Sequence, residues 1–241
     1  MSQPRHRQLQ RAYVLHHSAY RDTGRILEVL TREHGRLSLF ARGVRGPKAK
    51  LAALLQPFQP LLVSFSGRSE APLLTGAEPA GACAALPAAS LLGCFYLNEL
   101  LLKLTTRHDA HPQLFDAYHA TLEQLRAGAL LERCLRLFEK RLLEEVGYGL
   151  DLQPAAAGGG VDPAGWYLFR PAQGLVPTEA DAPGAIAGSS LCSLAQERLV
   201  SAAELQDARR LLSLALTHCL EGRPLRTRAV ARAMLHRGSS A

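Results

Sequence analysis

The chain has 241 residues, enough for one large domain or two ordinary ones, with 47% hydrophobic residues and a net charge of +7. Its five cysteines (83, 94, 134, 192 and 219) are scattered and form no CxxC pair, a pattern of buried thiols in a reducing cytoplasm rather than a disulfide framework. MSQPRHRQLQ has no apolar run behind its charges, and Pro79, Gly81, Pro87 and Gly93 break the longest uncharged stretch, so neither a secretory signal nor a membrane span is expected.

The first eighty residues read as strands. RAYVLHH (11–17), RILEVLT (25–31), RLSLFAR (36–42) and PLLVSFSG (60–67) are short apolar runs with partial period-two alternation, and PLLTGAE (72–78) is a weaker fifth. REHG and GRSE read as turns. With a helical piece, KLAALLQ (50–56), between the third and fourth strands, this count predicts a small Greek-key barrel of the OB type over residues 1–80. Tyr13, Phe40, Phe58 and Phe65 read as filling of the barrel core; a base-stacking role would need at least one of them to face outward.

Residues 81–241 read as a mainly helical domain, giving an α+β chain. ASLLGCFYLNELLLKLTTR (89–107) is apolar nearly all round, with Asn98, Glu99 and Lys103 as its interior polar positions. HPQLFDAYHATLEQLRAG (111–128) opens with Pro112 and ends before Gly128. LLERCLRLFEKRLLEEVG (130–147) sets Leu131, Leu135, Phe138, Leu142 and Val146 on one face, and its charges read as a solvated face. In SAAELQDARRLLSLALTHCL (201–220), Ser201 is an N-cap three residues before Glu204, and PLRTRAVARAMLHR (224–237) offers one more helix. Between them QPAAAGGGVDPAG (153–165) is a flexible connector by composition. WYLFRPAQGLVP (166–177) reads as a short hairpin; Trp166, Tyr167 and Phe169 cover the helical core or, alternatively, stack on nucleic acid.

Charge is uneven. Residues 1–50 hold eleven Lys and Arg against three acids, a net of +8, while the remaining seventeen cations meet eighteen acids. This asymmetry points to an anionic partner, nucleic acid first, with an acidic protein or a membrane surface behind it. Single-strand binding by OB barrels uses a positive groove with stacking surfaces. Arg11, Arg21, Arg25, Arg32 and Arg36 are the candidates for that groove, together with Arg42, Arg45, Lys48 and Lys50 of the glycine-broken segment ARGVRGPKAK. No phosphate-binding loop, nucleophile elbow or HExxH is present. His108 and His111 lack further metal ligands around them, His218 and Cys219 are adjacent on a helix, and Glu144 and Glu145 point apart. The reading is a non-enzyme without cofactor or metal.

RAYVLHHSAYRDTGRILEVLTREHGRLSLFARGVR followed by LQPFQPLLVSFSGR resembles the N-terminal OB domain of the bacterial recombination mediator family RecO. YLNELLLKL and FEKRLLEEVGYGLDL resemble that family's helical C-terminal domain, and GRPLRTR its closing helix junction. The resemblance implies binding of single- and double-stranded DNA, annealing of complementary strands without ATP, and help in loading the recombinase RecA. The partners it implies are RecR and the acidic C-terminal tail of single-stranded DNA-binding protein, in a cytoplasmic, nucleoid-associated setting without membrane. Cations beside apolar helix surface make Arg133, Arg136 and Lys140, or alternatively Arg223, Arg226 and Arg228, the candidates for the tail. Many members carry a four-cysteine zinc site after the GY motif. This chain has no cysteine there, so a zinc-free member is expected, with the loop and hairpin of about 153–177 in the metal's place. The alternative class is an interaction adaptor that binds acidic partners without direct DNA contact; a phosphodiester-cleaving OB enzyme lacks a carboxylate cluster.

Overall fold

A computed structural model describes residues 9–44, 49–152 and 160–231, with backbone alone at 49 and 50. The chain divides into two compact units, Met1–Arg126 and Ala127–Ala241. The first begins with strands β1 (Gln10–Tyr20), β2 (Gly24–Thr31) and β3 (Gly35–Ala41), followed by the short helix α1 (Ala49–Leu54) and strands β4 (Leu61–Ser66) and β5 (Leu73–Pro79). They close into a barrel in the order β1-β2-β3-β5-β4, with β1 pairing β4 through Gln10, Arg11 and Ala12. Closure leaves no free sheet edge, and the OB architecture read from the strand count is the one observed.

The barrel interior is aliphatic. Ala12, Val14, Leu27, Val29, Leu37, Leu39, Ala41, Leu61 and Val63 form it, with Leu55 just after α1 buried among them. Of the four aromatics assigned to this core, only Phe65 packs against it. Tyr13 lies on the outside against Phe115, Tyr118 and His119, and Phe58 meets Phe95 edge to face. Phe40, between the inward-facing Leu39 and Ala41, also faces out.

β1 carries a bulge. Val14 pairs with Val29 and His16 with Glu28, so Leu15 is an extra residue. Up to Val14 the odd-numbered Tyr13 faces outward; after the bulge the even positions do, with Ser18 opposite Ile26 and Tyr20 opposite Gly24. Helices α2 (Leu91–Leu104) and α3 (Pro112–Arg126) complete this unit. From α2, the Nδ2 of Asn98 donates to the Leu15 carbonyl at 2.9 Å, and its Oδ1 accepts from the Tyr118 hydroxyl of α3 at 2.6 Å. Tyr13 and His119 share a 2.6 Å hydrogen bond beside them. Burial, the largest influence on it, pushes the Tyr13 phenol up to about 12.

The second unit contains α4 (Leu131–Glu145), the hairpin β6 (Trp166–Arg170) and β7 (Gly174–Thr178), the short β8 (Ile186–Ala187), α5 (Gly188–Ala195) and α6 (Ala202–Cys219). β6 lies between β7 and β8, a three-stranded sheet instead of a bare hairpin. Neither β8 nor α5 follows from the sequence pattern, because GAIAGSSLCSLA is too short and too evenly apolar to show a period. Ser201 and Glu204 form a reciprocal capping box at the start of α6, as their spacing predicts. On α4 the solvated-face reading of the charges fails at two positions. Arg136 and Glu139 are buried, at 7% and 1% exposure, and pair at 2.7 Å.

The segment after Gly147 contains neither cysteine nor histidine up to Thr178, and among the described residues no three His, Cys, Asp or Glu side chains gather to hold a metal. A zinc ion does not fit here. Backbone contacts tie the segment instead. Gly188 N donates to the Gly165 carbonyl at 2.8 Å, Asp162 N to the Tyr167 hydroxyl at 2.7 Å, and Ala164 N to the Asp162 carboxylate at 2.9 Å. The approach at Gly188 is so close that a Cβ there would sit 1.9 Å from the Asp162 carbonyl oxygen. Residues 153–159 of the connector lie outside the described residues.

Two outcomes follow from this architecture. Asn98→Leu takes the Asn98 donor from the bulge carbonyl of Leu15, and an unpaired buried group costs about 1–3 kcal/mol; a denaturant titration should register a loss of that order, and an unchanged midpoint would remove Asn98 from this role. Purified protein should contain substoichiometric zinc and keep its melting temperature in chelator, whereas Gly188→Ala should destabilise it by about 1–3 kcal/mol through overpacking. One tightly held zinc per chain contradicts this account.

Candidate nucleic-acid interface

The outer face of β2 and β3 orders the basic candidates. Alternation sends Arg36, Ser38 and Phe40 outward from β3, with Glu28 and Ile26 beside them on β2. At the Arg36 end, Arg36 donates through Nη1 to Glu28 at 2.8 Å and through Nη2 to the Thr105 carbonyl at 2.8 Å. Arg107 and Ser38 also bond the Glu28 carboxylate. Burial works against that charge, but the hydrogen bonds from Ser38, Arg107 and Arg36 outweigh it and hold its pKa below the ordinary range. The loop after α2 seats on the same spot. His108 N donates to the Arg36 carbonyl at 2.9 Å, and a Cβ on Gly35 would meet the Asp109 carbonyl oxygen at 1.8 Å. Arg36 thus clamps the α2–α3 loop to the barrel, with its side chain 13% exposed.

Arg32 is engaged as well, but in the open. It grips Asp116 of α3 with two hydrogen bonds, at 3.0 and 2.9 Å, and this partner holds the Asp116 carboxyl below its usual range. Arg11 is exposed on β1. Arg21 stands at the β1–β2 turn with a positive φ of 52° and its guanidinium 5.3 Å from the Tyr20 ring centroid. Arg25 is half-buried, and its Nη1 is buried without a hydrogen bond among the described residues. Burial and then the Arg25 charge lower the pKa of neighbouring His17. Arg42 is exposed immediately after β3. Arg45 and Lys48 lie outside the described residues, as does the side chain of Lys50. By register Arg21, Arg25 and Arg42 fall at the hairpin end of the barrel, Arg25 on the row of the inward-facing Leu27 and Val29, whereas Arg32 is in an ion pair with Asp116 of α3 and Arg36 with Glu28 of β2. Tyr20, which sequence patterning passes over, stands at the hairpin end as well. Its signal is the bulge, which decides its face and leaves no mark in the hydrophobic pattern.

In the second unit the two candidate clusters for an acidic tail differ. Arg136 is buried against Glu139; Lys140 bridges Glu144 and Glu197 at 3.1 and 3.2 Å; exposed Arg133 donates to the Glu197 carbonyl at 3.0 Å. Arg223 and Arg228 line a cavity of about 460 Å³ with Leu220, Pro224 and Leu225, and exposed Arg226 is beside it. The titratable groups considered for chemistry stay apart. His111 pairs with Asp109 at 3.3 Å, and burial pushes the Cys219 thiol up to about 11, which suppresses the thiolate. Among the described residues no helix is long and apolar enough to cross a membrane.

Two family models account for almost the whole chain: recombination protein O N terminal matches residues 6–82, and recombination protein O C terminal matches residues 88–229. A DNA repair protein RecO from Methylococcus capsulatus is 43% identical over 225 residues, covering 93% of either chain. Proteins of the same name from Thiobacillus denitrificans and Burkholderia pseudomallei are 38% and 41% identical, over 91% and 92% of this chain and 90% and 82% of theirs. The barrel and the helical region that follows it are therefore those of the RecO family, to which this chain belongs, and its role lies in DNA repair and recombination.

Proposed function

We propose that this chain is a non-enzymatic recombination mediator that binds single- and double-stranded DNA, anneals complementary strands and helps to load recombinase. The observation that carries this reading is the closed OB barrel with Arg21, Arg25 and Arg42 at its hairpin end, in the fifth of the chain that holds the excess positive charge. Phosphate neutralisation by such a surface supplies sequence-independent affinity. Annealing by a protein without a nucleotide site requires just that: charge that screens two strands from each other, and contacts that leave base-pairing edges open. RecR is the partner protein in this reading, and the setting is cytoplasmic and nucleoid-associated.

Two kinds of arginine are separable by experiment. Replacing Arg42, Arg45, Lys48 and Lys50 together with alanine should change stability by no more than about 0.5 kcal/mol per site. It should weaken DNA binding for all sequences alike and reduce the single-strand salt slope by roughly 0.7 for each phosphate no longer neutralised. Arg36→Ala should instead lower the melting temperature, because it leaves Glu28 with one fewer partner and frees the α2–α3 loop. Strand annealing by the quadruple variant at the parent's rate and salt slope removes that segment from the interface.

The helical unit holds the acidic tail of single-stranded DNA-binding protein in this proposal, at the cavity between Leu220 and Arg228. Apolar walls flanked by two arginines suit a peptide that is both hydrophobic and anionic. Arg223→Glu with Arg228→Glu should abolish binding of a tail peptide, while Arg133→Glu with Lys140→Glu should not; the reverse pattern moves the site to α4.

A further inference from the structure

The bulge in β1 puts Tyr20 on the outer face of the barrel opposite Gly24, next to the row of Ile26 and Phe40. Tyr20 and Phe40 meet edge to face, ring centroids 5.5 Å apart at 76°, and Tyr20 keeps 41% of its surface exposed. Gly24 is what allows this pair. A Cβ at that position would lie 2.5 Å from Cε2 of Phe40, so any side chain there would displace the ring that supports Tyr20. Two cations belong to this end of the barrel: Arg21, whose guanidinium lies over one face of the Tyr20 ring at 5.3 Å from its centroid, and exposed Arg42, two residues after Phe40 and just past the end of β3.

We infer that Tyr20, backed by Phe40, is a stacking platform for an unpaired nucleobase, with Arg21 and Arg42 meeting the phosphates on either side of it. The inference rests on the DNA-binding reading above and deepens it. A tyrosine on the barrel surface gains nothing from the aliphatic core, which lies on the opposite side of the sheet. Its ring surface matches the π-face of a base, and the two guanidiniums match the charge of the backbone that carries that base. Bases in a duplex are already stacked on both faces, so the platform acts on single strands. It holds a base by its face and leaves the Watson–Crick edge free for a complementary strand.

The test compares a short oligothymidine with an abasic strand of the same length and charge, both bound to the full chain at several salt concentrations. The parent should bind the oligothymidine at least about fivefold more tightly, the factor that corresponds to the lower end of base–aromatic stacking. Tyr20→Leu should erase that difference while leaving the abasic affinity, the salt slope and the melting temperature at parental values. Tyr20→Trp should preserve the preference, which a role confined to packing on Phe40 does not require. Equal affinity of the parent for the two strands, with a steep salt slope, overturns the platform and leaves the DNA-binding reading standing. No binding of either strand overturns both. A base preference that survives in Tyr20→Leu also overturns it. The parent comparison needs no variant, so it can overturn the platform even if a substitution disturbs folding.

Discussion

The carboxamide of Asn98 is the contact on which the first unit turns. An extra residue in a strand leaves a carbonyl that the ladder cannot pair, and a buried unpaired carbonyl is expensive. Here the Leu15 carbonyl finds its donor in a helix more than eighty positions away in sequence, and the same amide accepts from Tyr118 of a second helix. A single polar side chain therefore connects barrel, α2 and α3. It also stabilises the change of parity that turns the far end of β1 outward. Were the same sequence paired without a bulge, Tyr20 would share the parity of Val14 and point toward the mouth of the barrel, not to its outer face.

The helices and the bulge divide the outer surface of the barrel between them. Where Tyr13 faces out, α3 covers it with Phe115 and Tyr118. Where Arg36 and Glu28 face out, the α2–α3 loop closes over them. Beyond these, at the hairpin, Tyr20 and Arg42 stay exposed. Arginines that look equivalent in the sequence thus separate by location. Arg32 and Arg36, near the helices, are matched with Asp116 and Glu28; at the hairpin, Arg21 lies over the Tyr20 ring and Arg25 near His17.

Much of the fold was legible because its signals are local. Five strands and the short helix α1 follow from short apolar runs between turn residues, α2 from a long stretch apolar nearly all round, and α3, α4 and α6 from periodicity and caps. What escaped was long-range. Phe40 and Tyr13 carry the composition of a core but sit outside it, because alternation along the strand, not ring size, sets side-chain direction. Arg136 and Glu139 carry the composition of a surface but are buried as a pair. Asn98 was visible as an odd polar residue in an apolar helix, yet nothing in the sequence names Leu15 as its partner. The basic surface was legible as a charge excess, and only the ion pairs with Glu28 and Asp116 show which of its members are structural.

In the second unit the stretch from Gly160 to Thr178 is fastened by backbone geometry, and the arrangement has a physical logic. A zinc site fixes a loop through a few strong bonds and releases it when the metal is lost. In this chain the same stretch is held by Gly188 pressed onto the Asp162 carbonyl, by the Tyr167 hydroxyl bonded to Asp162 N, and by β6 lying between β7 and β8. No single one of these bonds approaches a metal–thiolate bond in strength, but they are insensitive to oxidation and chelation. They also demand glycine at 188, since the closeness that stabilises the knot leaves no room for a side chain.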